Sequence, residues 1–87
     1  MKTPTLADAQ LGQSYWITGL NVPADMPDWS QRLMELGFFP GECVRVLRHA
    51  FPGKDPLAVR VGASSFALRR AEAQCVRIEP LPHGAAG

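Results

Sequence analysis

The stretch from Arg32 to Glu42 constrains the fold most strongly, because it places two turn signals within a few residues of each other. Gly37 lies one position beyond an apolar helical pattern, where a left-handed residue without a Cβ commonly ends a helix. Pro40-Gly41 then predicts a type II turn, since proline presets the φ of the first corner and glycine accepts the positive φ of the second. The stretch therefore predicts the end of a helix, a sharp turn and the start of a strand.

Two phenylalanines lie between these turn signals, and they cannot easily enter the same core. Phe38 is predicted to point inward against Leu33, as the hydrophobic contact of a Schellman-type helix end. Phe39 has two open interpretations: an exposed aromatic beside a rigid turn, suited to bind a partner, or a core residue beneath the loop 51–56. Arg32, on the preceding helix, is the charged residue that could contact the same partner.

One helix of about three turns is predicted ahead of Gly37. Four apolar residues recur at spacings of three, four and three on one helical stripe, which we assign to the core: Met26, Trp29, Leu33 and Leu36. Asp25 or Asp28 can cap the start of this helix. Asp28 also precedes Arg32 by four residues, the favourable order for an exposed ion pair of about 0.3 to 0.5 kcal/mol.

Five short strands are predicted from runs of β-branched and aromatic residues that alternate in polarity. These are Ser14 to Leu20 with a bulge at Gly19, Cys43 to Ala50, Leu57 to Val61, a strand opened by Phe66 and Leu68, and a short strand with Val76 and Ile78. The turn-rich segments 51–56 and 62–65 predict two successive hairpins, and Arg69 to Ala73 fits a single helical turn.

Only one helix is predicted between the strands, and one crossover helix is not enough to build a parallel sheet of five strands. The sequence therefore predicts a mainly β fold, a small SH3-like five-stranded antiparallel barrel with one helix inserted between the first and second strands. We expect one domain over residues 1–87, with a core of about 5–79 and a mobile tail at 80–87.

Composition limits the classes of function. The chain has 9 Lys plus Arg and 8 Asp plus Glu, a formal net charge of +1, which argues against nucleic-acid binding that depends on neutralising many phosphates. Neither an apolar run long enough to span a membrane nor a secretory signal occurs, so we expect a cytoplasmic protein with no direct membrane insertion. Cys43 and Cys75 are too few for a disulfide scaffold and fit a reducing compartment.

No catalytic set is visible in the sequence. Ser64 and Ser65 lack the Gly-x-Ser-x-Gly context, and His49 and His83 are not spaced as a base for either cysteine. A phosphate-binding loop with a following Lys-Ser/Thr is also missing, so GTP chemistry would belong to a partner. We therefore predict that the protein is not an enzyme.

No metal site is predicted, although weak binding of Fe²⁺ or another divalent metal stays open. The candidate ligands are separated in sequence without a close pair: His49, His83, Cys43, Cys75, Asp55 and Glu79. We interpret both histidines as surface residues and both cysteines as small apolar core residues. A disulfide between the cysteines would require that the strands beginning near them are neighbours.

Arg69 and Arg70 also have two open interpretations. Beside Glu72 they could pair locally on a solvated face. They could instead anchor a carboxylate of a partner, a role for which the planar guanidinium is suited.

Together, three motifs resemble the FeoA family over about residues 5–79. The motifs are Arg32-Leu33-x-Glu35-Leu36-Gly37-Phe38-x-Pro40-Gly41-x-x-Val44-x-Val46, Asp55-Pro56-Leu57-x-Val59-x-Val61 and Ala67-Leu68-Arg69-Arg70-x-Glu72-Ala73. Phe38-Phe39 is bulkier, and the turn 62–65 plainer, than the family pattern leads us to expect.

This resemblance implies a cytosolic, non-enzymatic accessory protein of bacterial ferrous iron transport, without a cofactor. Its implied partner is the cytosolic part of the membrane transporter FeoB, which it would bind and modulate. The residues that we expect to contact this partner are Phe39, Arg32, Arg69 and Arg70. The direction of regulation and the oligomeric state do not follow from the resemblance.

An alternative function follows from a second resemblance. The same SH3-like module resembles the C-terminal domain of metal-dependent repressors related to the diphtheria toxin repressor. This implies a metal-sensing or peptide-binding regulatory module. The sequence shows no helix-turn-helix ahead of the module, which favours the transport accessory.

Overall fold

The computed structural model describes residues 4–81. Within these residues the chain forms five strands, two helices and a 3-10 turn. In chain order these are the 3-10 turn Leu6–Asp8, β1 (Ser14–Leu20), α1 (Asp28–Leu36), β2 (Cys43–His49), β3 (Leu57–Val61), β4 (Ser64–Leu68), α2 (Arg70–Ala73) and β5 (Val76–Pro80). The strands form one antiparallel sheet in the order β4-β3-β2-β1-β5. The predicted mainly β fold, with a helix inserted between the first two strands, is confirmed.

The sheet is irregular at two positions, where the pairing register shifts. One shift lies between Ile17 and Gly19 against β5, as the predicted bulge at Gly19 requires, and the other lies between Val46 and Arg48 against β3. Such bulges increase the local twist and bend the strands, which allows so small a sheet to enclose a core.

The core lies inside the bent sheet, because the alternating residues of each strand point to one face. Phe38, Leu33 and Leu6 add the helix end and the 3-10 turn to it. The fully buried strand residues include Ile17, Val44, Val46, Val59, Leu68, Val76 and Ile78. None of the helices within residues 4–81 is long and apolar enough to cross a bilayer.

The start of α1 differs from the prediction. Its N-cap is Pro27, which has no capping side chain, and Asp28 is the first helical residue, so neither Asp25 nor Asp28 caps the helix. Met26 therefore precedes the helix, and the helical period does not apply to it. With 43% of its surface exposed, its assignment to the core is wrong, whereas Leu33 is buried as predicted.

The second hairpin is tighter than predicted. Ser64 pairs with Val61, so Gly62-Ala63 alone forms the loop and β4 begins two residues before Phe66. Gly62 adopts φ +56° in this loop, a conformation that favours glycine. At the other end of the sheet, Pro80 still pairs with Tyr15, so the predicted tail does not begin at residue 80. Its remaining part from residue 82 onward, with His83, lies outside the described residues.

Candidate partner-binding surface

The end of α1 has the predicted Schellman geometry. Gly37 is left-handed, with φ 111°, and the N–H of Phe38 donates to the carbonyl of Leu33 at 3.0 Å. The Phe38 ring is completely buried and tilted against Phe66, with ring centroids 6.4 Å apart. The helix end is therefore anchored in the core by the residue directly before Phe39.

Backbone hydrogen bonds hold the turn that follows against β1. Its closing hydrogen bond runs from the N–H of Glu42 to the carbonyl of Phe39 at 3.1 Å, and Gly41 has φ 90°, as a type II turn requires. The N–H of Gly41 donates to the carbonyl of Ile17 at 2.7 Å, and the N–H of Ile17 donates to the carbonyl of Glu42 at 2.9 Å. These bonds fix the backbone that carries Phe39.

Phe39 is 45% exposed and borders a shallow groove of about 500 Å³. We call this groove the helix-end surface. Its lining residues are Pro27, Ser30, Gln31, Met34, Glu35 and Phe39. Met34 is 40% exposed, so the groove presents two large apolar side chains to solvent. Phe39 is thus not a core residue beneath the loop 51–56.

Met34 was not predicted from the sequence, although its position carried a signal. It is an apolar residue of α1 outside the stripe of Trp29, Leu33 and Leu36 that faces the core. On an amphipathic helix such a residue lies on the solvent side. Its nearness to Phe39 depends on the turn after Gly37, which helix periodicity does not describe.

Arg32 makes an ion pair that the sequence did not reveal. Its Nη2 lies 2.9 Å from Oε2 of Glu72, whose side chain is only 6% exposed, and the predicted partner Asp28 is not used. The other carboxylate oxygen of Glu72 accepts the backbone N–H of Arg69 at 3.0 Å. Glu72 thus connects α1 to the start of α2, and Arg32 keeps 62% of its side chain exposed.

The structure separates the other two predicted contact residues. Arg69 is exposed, and it meets Glu72 through its backbone rather than its guanidinium. Arg70 is half-buried and lines a different cavity, beside His49 and Lys54. Phe39 and Arg70 therefore do not belong to one groove.

The candidate metal ligands remain scattered. Within residues 4–81, no three His, Cys, Asp or Glu side chains are grouped to hold a metal ion. His49 lines a cavity of about 230 Å³ with Asp8, and its buried Nδ1 has no hydrogen-bond partner in this part of the chain. Lys54 and Arg70 line the same cavity, and their positive charges disfavour a cation there.

Cys43 and Cys75 are both free thiols. Their strands β2 and β5 lie on opposite sides of β1, so the strands are not neighbours and the condition for a disulfide is not met. Burial, and secondarily the charge of Glu72, raise the pKa of the Cys75 thiol above its ordinary value of 9.0. Its Sγ donates to the carbonyl of Ala71 at 3.4 Å, as a protonated thiol can.

A family model and several solved structures indicate the same family. The sequence model of the FeoA domain matches residues 5–80. Among solved structures, FeoA of Stenotrophomonas maltophilia complexed with zinc, an SH3 domain protein, is 36% identical, with 87% of this chain and 89% of that protein covered and a TM-score of 0.78. FeoA of Chlorobium tepidum is 29% identical over 97% of this chain and 82% of that protein, with a TM-score of 0.75. The predicted SH3-like barrel is confirmed.

A more distant likeness extends to a manganese-dependent transcriptional repressor. It is 17% identical, with 93% of this chain and 44% of the repressor covered, at a TM-score of 0.75. An identity this low shows a shared fold alone. A comparison with curated proteins finds no significant match.

Proposed function

Since the chain belongs to the FeoA domain family, we propose that it is a cytosolic, non-enzymatic accessory protein of bacterial ferrous iron transport that binds and modulates the transporter FeoB. The observation that carries this proposal is the exposure of Phe39 on a backbone that hydrogen bonds hold in place. Exposed aromatic residues on a rigid support are typical of the positions that dominate binding energy in protein interfaces.

The helix-end surface is the proposed contact. Phe39 and Met34 form its apolar centre, while Gln31 and Glu35 form a polar rim, the usual arrangement of a specific interface. Because the turn fixes the backbone of Phe39 before binding, little backbone entropy is lost at this position when the partner docks. Arg32 lies on the same helix and has exposed guanidinium surface left for a carboxylate of the partner.

The roles proposed for Arg69 and Arg70 are secondary. Arg69 is exposed near the Arg32–Glu72 pair and could extend the contact along α2. Arg70 lines another cavity, so its substitution tests whether the transporter covers more than the helix-end surface.

Titration of the purified protein with the cytosolic part of FeoB tests the proposal. We expect saturable one-to-one binding, and we expect GTP and GDP analogues bound to the transporter to change the affinity if the protein modulates nucleotide-dependent transport. The absence of binding in every nucleotide state would contradict the proposed function. This test does not require a measurement of iron uptake in cells.

Divalent-metal sensing is the second candidate function. It is supported by the FeoA protein of S. maltophilia, whose structure was determined with zinc. Anaerobic titration with Fe²⁺ distinguishes the two functions: stoichiometric micromolar binding supports a sensor, and the absence of binding supports an adaptor. A site completed by a second copy of the chain would appear as metal-dependent dimerisation in the same titration.

A further inference from the structure

Four hydrogen-bond donors form a row across the outer face of the sheet. In the strand register, Ser14 of β1 lies opposite Arg45 of β2, Arg45 lies opposite Arg60 of β3, and Arg60 lies opposite Ser65 of β4. Residues directly opposite each other in a sheet share a face. The buried neighbours of Arg45 on β2 point to the core, so this row points outward.

The two arginines in this row are an unfavourable pair. Like charges directly opposite each other on adjacent strands destabilise a sheet. Within residues 4–81 the one ion pair joins Arg32 to Glu72, so neither Arg45 nor Arg60 has a carboxylate within 4.0 Å. The placement of Arg45 opposite Arg60 therefore does not by itself stabilise the fold.

Two acids lie near this row. The carboxylate of Glu42 accepts the N–H of Cys43 at 3.1 Å. Glu79 lies opposite Trp16 on the far edge of the sheet, in the neighbouring row. Neither acid is among the residues that line the cavity beside the two arginines, and the Glu42 carboxylate lies next to Gly62 at its border.

The guanidinium of Arg45 is held in place by Ser14 of the neighbouring strand. Its Nη2 and Nε donate to Oγ of Ser14 at 2.8 and 3.3 Å, and its side chain is half-buried. These bonds leave other guanidinium N–H groups of Arg45 available. A cavity of about 420 Å³ lies beside them, lined by Ser14, Val44, Arg45 and Arg60 together with Cys43, Leu47 and Gly62.

We infer that this row is a binding site for a phosphate group. Two guanidinium groups match the two charges of a phosphate monoester, and the planar N–H fork of arginine binds phosphate oxygens in pairs. The hydroxyls of Ser14 and Ser65 at the ends of the row add neutral donors. A bound dianion would also remove the repulsion between Arg45 and Arg60. The site is separate from the helix-end surface and does not depend on the proposed function.

A free phosphate ester and a phospholipid headgroup offer this same chemistry. The primary test is a titration of ¹⁵N-labelled protein with glycerol phosphate at constant ionic strength, followed through the Nε–H signals of Arg45 and Arg60. We expect saturable shifts with a dissociation constant in the low millimolar range. Shifts that grow linearly, or that sodium chloride reproduces, would overturn the site.

Arg60→Gln and Arg77→Gln form a matched pair of variants, because both arginines are exposed and each substitution removes one positive charge. Loss of a charge-assisted hydrogen bond predicts about tenfold weaker phosphate binding for Arg60→Gln. Arg77 lies outside the row, so Arg77→Gln should change the phosphate affinity by less than about twofold, as expected for a screened distant charge. Equal weakening in both variants would overturn the proposal.

The melting temperature separates binding from a structural role. Arg60→Gln relieves the repulsion from Arg45, so the melting temperature should stay the same or rise while phosphate binding is lost. A lower melting temperature with unchanged phosphate affinity would show that Arg60 serves the fold instead. Equally tight binding of acetate would show that the site does not select phosphate.

Sedimentation with vesicles identifies the source of the phosphate. A lipid headgroup would be the ligand if the protein binds vesicles that contain phosphatidic acid but not vesicles of phosphatidylcholine alone. Arg60→Gln should then lose this vesicle binding. Phosphate binding without vesicle binding would assign a soluble phosphate ester. Either result supports the site.

Discussion

Glu72 connects two helical segments through a single carboxylate. One oxygen accepts the N–H of Arg69, and the other lies 2.9 Å from the guanidinium of Arg32. Because the side chain of Glu72 is 6% exposed, the loss of its cation leaves a poorly solvated charge. The exposed side of Arg32 is what remains available for a partner.

Arg32→Gln should therefore lower the free energy of unfolding. We expect a loss of about 1 kcal/mol, a value reduced for the solvent that screens the exposed guanidinium. Urea unfolding measures this change. Arg48→Gln is the control, since Arg48 is exposed on β2 and makes no ion pair within the described part of the chain. Equal stability of the two variants would contradict the role assigned to Glu72.

Because of Cys75, we expect the free energy of unfolding to decrease at alkaline pH. Its pKa is raised in the folded state by burial and by Glu72, so the unfolded chain releases this proton at lower pH than the folded chain does. The contribution of Cys75 to stability is complete below its ordinary pKa of 9.0 and is lost as the pH rises through the folded value.

The free energy of unfolding, measured with urea, should therefore fall more steeply above pH 9.0 in the wild-type protein than in Cys75→Ala. Cys43→Ala, which leaves the buried thiol in place, should keep the wild-type slope. The same slope in all three proteins would show that another group accounts for the alkaline loss.

At the scale of secondary structure, local signals determine how α1 ends. Gly37, Pro40 and Gly41 each meet a backbone requirement that few other residues meet, which is why the helix end and the turn were predictable. The start of α1 was not, because Asp25 and Asp28 are both acceptable caps in sequence and the chain uses neither. Pairing of Arg32 with Glu72 joins residues 40 positions apart, so no local pattern indicates it.

Gly37→Ala tests how much the helix end contributes. The added Cβ would lie 3.7 Å from Val61 Cγ1, an ordinary contact, so the cost comes from the left-handed backbone at φ 111°. We expect a loss of about 1 to 2 kcal/mol. For a domain of this size, that lowers the melting temperature by several degrees.

Gly53→Ala is the matched control for this substitution. Gly53 is not among the glycines with positive φ, and a Cβ there meets no atom within 4 Å. Its melting temperature should stay within about 2 °C of the wild-type value or rise slightly, because alanine reduces the freedom of the unfolded chain. A similar fall in both variants would mean that the conformation of Gly37 is not the cause.

At the scale of the whole molecule, the sequence predicted the fold far better than its surfaces. Alternation along each strand assigns residues to the two faces of the sheet, but strand order and register decide which residues become neighbours. The row from Ser14 to Ser65 spans four strands and depends on three registers. The helix-end surface likewise depends on how α1 is oriented by the turn at Pro40-Gly41, so only Phe39 could be singled out beforehand.

Two exposed phenylalanines allow the proposed docking surface to be tested against a matched control in the same chain. Phe39 is 45% exposed on the helix-end surface, and Phe51 is 92% exposed in the loop after β2. The most direct measurement is calorimetric titration of Phe39→Ala and Phe51→Ala with the cytosolic part of FeoB.

We expect Phe39→Ala to weaken binding at least about tenfold, as for an interface hot spot, with the melting temperature within about 2 °C of wild type. Phe51→Ala should bind like the wild-type protein. Unchanged affinity in Phe39→Ala, or an equal loss in both variants, would contradict the proposal that the transporter docks on the helix-end surface.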